Sequence, residues 1–342
     1  VEDGMMLAVI AGRLAAALPT LAGVVVVTFL LTRALPGDPA AYFAGPAATR
    51  EAVEQIRAQL GLDRSLGVQF LGYLRELARG DLGLSITTGQ PVLSDIVARL
   101  PASAELTLLA LLFAALAGIS LGVLAALRPN GWLDNLCRVI ATLGVCLPAF
   151  FTGLLLIYVF YYLLGWAPAP LGRVDAFAAP PPHVTGFFLI DSLLAGDGET
   201  FRSALAQILL PALSLGIFAV APIARITRGS MLAVMSSDFI RAARAHGLSA
   251  RTVVIAYALR NALLPVVTTL GMVFSFLLGA NVLIEKVFAW PGIGSYAVEA
   301  LIASDYAPVQ GFVMTMGFLY VLLNLAIDLL YRVIDPRMEV TA

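Results

Sequence analysis

Long stretches without a charged residue dominate the pattern of polar and apolar positions along the chain. A helix needs about 20 apolar residues to cross the hydrocarbon core of a membrane. Six uncharged stretches approach or exceed that length: residues 14–32, 106–127, 139–164, 203–224, 261–284 and 306–327. Because open sheet edges cannot be satisfied in lipid, the pattern predicts six transmembrane helices in an all-α integral membrane protein.

The intervals between these spans predict further elements. Residues 36–100 contain two stretches with helical spacing, ATREAVEQIRAQLG and VQFLGYLRELARGDLG. Pro148 predicts a kink inside the third span. A second outer segment runs from Trp166 to about Arg202 and contains a run of three prolines.

A short helix is predicted in DFIRAARAHGLSARTV, which follows the fourth span. Ser237 or Asp238 can cap its start, and Gly247 can end it in the left-handed conformation. About nine helical residues lie between, too few to be stable alone in water. Ser249 then caps a second helix that runs toward Pro265 and the fifth span.

Two interpretations of this short helix remain open from the residues alone. It is either an interfacial helix whose arginines meet lipid phosphates, or a helix that docks on another protein. Its small side chains offer little apolar area to lipid and permit close approach to a partner backbone; they are Ala242, Ala243 and Ala245.

Composition and charge agree with a membrane protein and suggest an orientation. Hydrophobic residues make up 60% of the chain, charged residues 13%, and the mean hydropathy is +0.92. With the N-terminus inside, most arginines fall in cytoplasmic segments, as the positive-inside rule expects. Both termini are therefore predicted to be cytoplasmic. The first span is interpreted as a retained signal anchor, because no small-residue cleavage site follows it.

Several chemistries are excluded or disfavoured. Lys286 is the only lysine, so the phosphate-loop motif that binds ATP is absent. The stretch GISLG, Gly118 to Gly122, matches the G-x-S-x-G nucleophile of an intramembrane serine protease and also the G-x-x-x-G packing motif. A serine nucleophile needs a base, and both histidines, His183 and His246, lie outside the spans. We therefore expect packing there, no catalytic residue and no metal site.

One face of the last span carries polar residues at a spacing of four: Asn324, Asp328 and Arg332. Asp328 either pairs with Arg332 at the membrane surface or forms, with Asn324, a gate or a subunit contact. An ATP-independent secondary transporter is an alternative function, but it would use intramembrane acids, and only Asp328 qualifies.

The residues RAARAHG and LRNALLPVVTTLG resemble the EAA loop of permease subunits in binding-protein-dependent ABC importers. That pattern runs Glu-Ala-Ala, three residues, Gly and a later Leu-Pro. Arg241 replaces the glutamate here, Ala242, Ala243 and Gly247 fit, and Pro265 comes late. Both departures are similar to the peptide-importer branch. Further segments similar to that branch follow in order: LPGDPA, LGLDRSLGVQFLGYL, RGDLG, RLPAS, VFAWPGIG and DLLYRVIDPR.

The resemblance implies a type I ABC importer permease fold (MetI-like) with an extra external segment between spans one and two. Residues 1–100 would hold the first transmembrane helix and the external helical segment, and residues 101–335 the permease domain. A coupling helix at about 238–249 would dock on a cytoplasmic ATPase. The docking residues would be Asp238, Arg241, Ala242, Ala243, Arg244, Ala245, His246, Gly247 and Leu248.

The resemblance also implies a function and partners. The chain would translocate di- or oligopeptides, or alternatively glutathione, nickel chelates or another small solute, across a bacterial inner membrane. An external substrate-binding protein, periplasmic or lipid-anchored, would deliver the solute. A homologous second permease and two ABC ATPases would complete the importer. ATP and Mg would be bound by the ATPases, so this chain would carry no cofactor and no enzymatic activity, and nucleic acid is not an expected partner.

Overall fold

The computed structural model describes residues 18–30, 39–45, 47–59, 61–146 and 148–334, together with Gly12 and Arg33. In these ranges the regular elements are helices, and one isolated β-bridge joins Leu84 and Pro91. The first helices are α1 (Leu18–Leu30), α2 (Pro39–Ala44), α3 (Arg50–Gln59), α4 (Leu66–Ala78), α5 (Val92–Leu127), α6 (Trp132–Cys146) and α7 (Ala149–Leu156). The others are α8 (Phe188–Leu194), α9 (Gly198–Met235), α10 (Asp238–Ala245), α11 (Ala250–Thr252), α12 (Arg260–Val287), α13 (Ile293–Ile302) and α14 (Tyr306–Ile334).

Four stretches in the described residues are long and apolar enough to cross a membrane. They are α5, α9, the continuous helical stretch Ala250–Val287, and α14 over Tyr306–Ile327. These four coincide with the predicted second, fourth, fifth and sixth spans. The first predicted span is described only over α1, so its full length lies partly outside the described residues.

The third predicted span is interrupted rather than kinked. Helix α6 ends at Cys146, and Pro148 occupies the N-cap position of α7 with an extended backbone (φ −66°, ψ 142°). Proline has no N–H and disfavours helical geometry in the residue before it, so α6 cannot continue through this point. From Ala149 the chain is apolar and helical to Leu163, with the part Ile157–Leu163 in the wider π-helical form.

The helices form two compact units, each described here by itself. The first contains Pro291–Leu322 and the chain up to Pro101. Its core includes Val92, Ile96, Ile293 and Tyr296. The carboxylate of Asp305, 1% exposed, accepts hydrogen bonds from the loop before α5: Ser85 Oγ at 2.8 Å and the Thr87 N–H at 3.0 Å.

The second unit contains Ala102–Trp290 and the chain from Leu323. Its core is made by the inner faces of α5, α9 and α12, with Leu106, Leu215, Ile223 and Leu277 among the buried side chains. The indole of Trp290, also buried in this core, donates to the Ala102 carbonyl at 2.9 Å.

Close backbone approach fixes α9 against α5. A Cβ added to Gly122 would lie 2.7 Å from the Ala224 carbonyl oxygen, and one added to Gly118 would lie 2.8 Å from Ile223 Cβ. Ser120, between the two glycines, is exposed on another face. The packing interpretation of GISLG is therefore confirmed, because any larger side chain at either glycine would push the two helices apart.

The segment between α7 and α8, predicted as the second outer segment, is held to this unit by a buried ion pair. Arg173 Nη2 donates to Glu105 Oε2 at 2.6 Å and to the Gly186 carbonyl at 2.7 Å. The guanidinium also lies 3.5 Å above the ring of Phe188. Removing either charge would leave the other buried without its partner, which is the costly case for a buried pair.

Candidate partner-docking helix

Helix α10 covers most of the predicted docking segment. It has eight residues and follows α9 after only Ser236 and Ser237. Ser237 stands at the N-cap position, as one of the two predicted candidates, with an extended backbone. Its hydroxyl does not cap the helix; it donates to the Val234 carbonyl at 2.5 Å. The link between α9 and α10 is thus tied back to the end of α9.

The end of α10 is a Schellman motif. Gly247 has φ +75°, in the left-handed region that glycine enters without strain. The Gly247 N–H donates to the Arg244 carbonyl at 3.0 Å, and the Leu248 N–H donates to the Ala243 carbonyl at 3.3 Å. These are the two bonds that define the motif. The predicted helix stop at Gly247 is confirmed.

The inner face of α10 is held by the chain's own helices. Ile240 is 0% exposed and Ala243 is 6% exposed. Both belong to one buried cluster with Met231 of α9 and with Val253 and Ala258, which follow α11. This packing supplies the support that a helix of this length requires in order to form.

Ala243 corrects one detail of the predicted docking set. It was expected to lie where a partner's backbone approaches closely, yet its side chain faces this chain's own cluster. Ala243 is therefore not available for contact with a partner, and docking by the other members of the set stays a prediction. The remaining members of the set are all exposed: Asp238, Arg241, Ala242, Arg244, Ala245, His246, Gly247 and Leu248.

The exposed surface of this segment includes Phe239, an apolar residue that is not in the predicted docking set. Phe239 is 45% exposed and Leu248 is 38% exposed, with the exposed Ala242 between them in sequence. Arginines flank this surface, and Arg241 pairs with Asp238 along the helix. The sequence could have identified Phe239, because it is the one aromatic residue of the helix and lies three residues before Ala242.

The chain after α10 follows the prediction and adds one feature. Ser249 Oγ accepts a hydrogen bond from the Thr252 N–H at 3.2 Å, so the predicted cap is confirmed. The helix then runs without interruption through Pro265 to Val287. Its segment Val253–Leu259 is π-helical, which hydropathy alone did not indicate.

The polar residues of the last predicted span lie on α14. Asn324 is exposed there. The side chains of Asp328 and Arg332 lie outside the described part of the structure, so their pairing, and the alternative of a gate or subunit contact, stay predictions. In the described residues there is no group of three or more His, Cys, Asp or Glu that could hold a metal ion.

Comparison with known families identifies the class. A model described as "Binding-protein-dependent transport system inner membrane component" matches residues 118–340, a range that includes α10. The chain belongs to this family. A second model, for the N-terminal part of such membrane components, matches residues 6–107.

Several relatives match the chain along nearly its whole length. It is 49% identical over 316 residues to the probable D,D-dipeptide transport system permease protein DdpB of Escherichia coli K12, covering 92% of this chain and 93% of the relative. It is 39% identical to a dipeptide transport system permease protein DppB of Alkalihalophilus pseudofirmus, covering 98% and 100%. It is 41% identical to a di/tripeptide transport system permease protein DppB of Pseudomonas aeruginosa, covering 98% and 99%.

These similarities and the apolar helices give the chain's role. It is a permease subunit of an ABC importer and a multi-pass protein of the inner membrane.

We predict that Gly247→Val disrupts docking of the ATPase. A β-branched residue held at φ +75° costs about 1–3 kcal/mol. That is similar to the roughly 1.5–3 kcal/mol gained by burying one isoleucine such as Ile240. The measurement is ATPase co-purification beside solute uptake, and both should fall to a small fraction of wild type with membrane insertion unchanged.

Two controls bracket this variant. Gly247→Asn should be nearly silent, because asparagine tolerates the left-handed region. Arg244→Ala should be mild, because an exposed charge pair is worth under about 1 kcal/mol. If Gly247→Val and Gly247→Asn retain the ATPase equally, the segment that ends at Gly247 is not the ATPase-docking helix.

Proposed function

We propose that this permease translocates di- or oligopeptides and that residues 238–249 form its coupling helix. The observation that carries the second statement is the two-sided construction of α10. Its inner face is buried in the chain's own cluster, while Phe239, Ala242 and Leu248 are exposed on the outside. The peptide assignment is supported by relatives named for dipeptide and di/tripeptide transport.

The proposed assembly follows from the family and from the absence of a phosphate loop in this chain. A homologous second permease lies beside this one, and two cytoplasmic ABC ATPases bind ATP and Mg and carry out hydrolysis. An external substrate-binding protein delivers the solute. The chain has six spans, the segment 36–100 is external, and residues 101–335 form the permease domain.

The geometry of α10 supports a mechanism of alternating access. A displacement of α10 by the ATPase is passed to α9 through the link Ser236–Ser237 and the contact between Ile240 and the cluster of Met231. Helix α9 in turn packs on α5 without side chains between the backbones at Gly122. Close-packed helices transmit such a displacement rather than absorb it, because the interior has few voids.

The substrate assignment is tested in proteoliposomes that contain the complete importer and its binding protein. Uptake of a labelled dipeptide should require ATP and the binding protein, and excess unlabelled dipeptide should abolish it. Glutathione and nickel chelates should compete by less than about 2-fold. Uptake of nickel or glutathione in preference to dipeptide would show that the importer serves one of the alternative solutes.

The orientation is tested by cysteine labelling of intact cells. Cys137 and Cys146 are first replaced by serine, and Glu54→Cys and Ser249→Cys are introduced singly, both at exposed positions. An impermeant maleimide should modify position 54 and spare position 249, because the arginine-rich segments are proposed to be cytoplasmic. The reverse pattern would overturn this orientation.

A further inference from the structure

A cluster of arginines surrounds one buried carboxylate at the turn between α5 and α6. Asp134 is 0% exposed, and Arg228 of α9 donates to both of its oxygens, from Nη2 at 3.0 Å and also from Nε. Arg138 Nη2 donates to the same carboxylate at 2.9 Å, and the Asn130 N–H adds a bond at 2.9 Å. The bonds from Arg228, and then that from Asn130, hold the pKa of Asp134 well below its ordinary range. Asp134 is therefore an anion.

Positive charge is nevertheless in excess at this place. Arg225 Nη2 lies 3.4 Å from the Ala141 carbonyl oxygen, which sets its side chain along α6. Arg128 is exposed in the adjoining turn. Asp134 is the only acidic residue between positions 106 and 174, and positions 200–237 contain none. Asp134 pairs with only two of these four arginines, Arg228 and Arg138, and 56% of the Arg138 side chain remains exposed.

An apolar surface adjoins the arginines on α6. Trp132 is 70% exposed, Leu136 is 39% exposed and Val139 is 52% exposed. Their spacing of four and three residues places them on one face of the helix. The buried face, which includes Cys137 and Ala141, is on the opposite side. Trp132 therefore lies where an exposed apolar stripe meets a cationic turn, the setting in which tryptophan marks the membrane–water boundary.

We propose that Trp132 and the arginines at positions 128, 138 and 225 bind the phosphate headgroup of an anionic phospholipid. The guanidinium groups would hold the phosphate, and the stripe of Trp132, Leu136 and Val139 would contact the acyl chains. The site depends only on the chain being embedded in a membrane. It is independent of the transported solute and of the coupling-helix assignment.

The observations favour lipid over the ATPase as the source of the anion. Arg228 lies ten residues before Asp238, so the cluster is about 15 Å along α9 from the start of α10. The surface beside the arginines is apolar and continues away from the turn along α6, as a lipid-facing surface does. A water-filled docking groove would give no reason for that stripe to be exposed.

The test uses the purified complete importer in detergent, with phosphatidylglycerol binding followed by native mass spectrometry. Each arginine near a membrane surface contributes about 1 kcal/mol, so Arg138→Gln with Arg225→Gln should weaken the tightest phosphatidylglycerol site roughly 10- to 30-fold. The control double variant Arg75→Gln, Arg79→Gln removes two exposed arginines elsewhere in the chain. It should leave the affinity of the tightest phosphatidylglycerol site unchanged. Arg138→Lys with Arg225→Lys keeps the charge and should retain most of the binding.

Further control measurements identify the ligand. Phosphatidylcholine should bind equally to all variants, and millimolar inorganic phosphate should not displace phosphatidylglycerol from the wild type. Trp132→Ala should also weaken phosphatidylglycerol binding. The proposal is wrong if the double variant Arg138→Gln, Arg225→Gln binds phosphatidylglycerol like the wild type, or if inorganic phosphate fully displaces phosphatidylglycerol from the wild type. If the Arg138→Gln, Arg225→Gln importer loses its ATPase subunits in lipid-free detergent, the arginine cluster is a protein contact, and the proposal is also overturned.

Discussion

The position of α10 depends on the burial of Ile240 and Ala243 beneath an otherwise exposed helix. Eight residues cannot sustain a helix in water, because the nucleation cost is spread over too few hydrogen bonds. Burying one isoleucine side chain is worth about 1.5–3 kcal/mol, enough to tip such a marginal helix toward order. The same contact fixes α10 to Met231 of α9 and to Val253, so the stability of the helix and its connection to the spans have one physical origin.

Different residues of α10 hold the helix in place and remain exposed for contact with a partner. The inner face and the Schellman end at Gly247 fix the position and the length of α10. Phe239, Ala242 and Leu248 are exposed, and none of them belongs to the buried cluster beneath. A partner can therefore bind the outer face without disturbing the packing that transmits its movement.

The sequence predicted the features that depend on local pattern. Four of the six spans predicted from hydropathy are confirmed in the described residues, and Gly247 and Ser249 mark helix ends as predicted. The G-x-x-x-G motif predicted close helix packing, which the structure shows between α5 and α9. The sequence did not predict the helix break at Pro148, because a proline inside an apolar run is compatible with either a kink or a break. Ala243 was assigned to the wrong face because α10 is rich in alanine, which suits a buried or an exposed face and leaves the choice to tertiary packing.

Contact between the exposed surface of α10 and the ATPase can be measured by photo-cross-linking of the assembled importer. A photoreactive phenylalanine analogue would be placed singly at Phe239, Ala242 and His246, and at Arg79 as an exposed control distant in sequence. Cross-links to the ATPase are expected from positions 239, 242 and 246, in α10 and at its C-cap, and none from position 79. An intact importer with no ATPase cross-link from any of these three positions would contradict this contact.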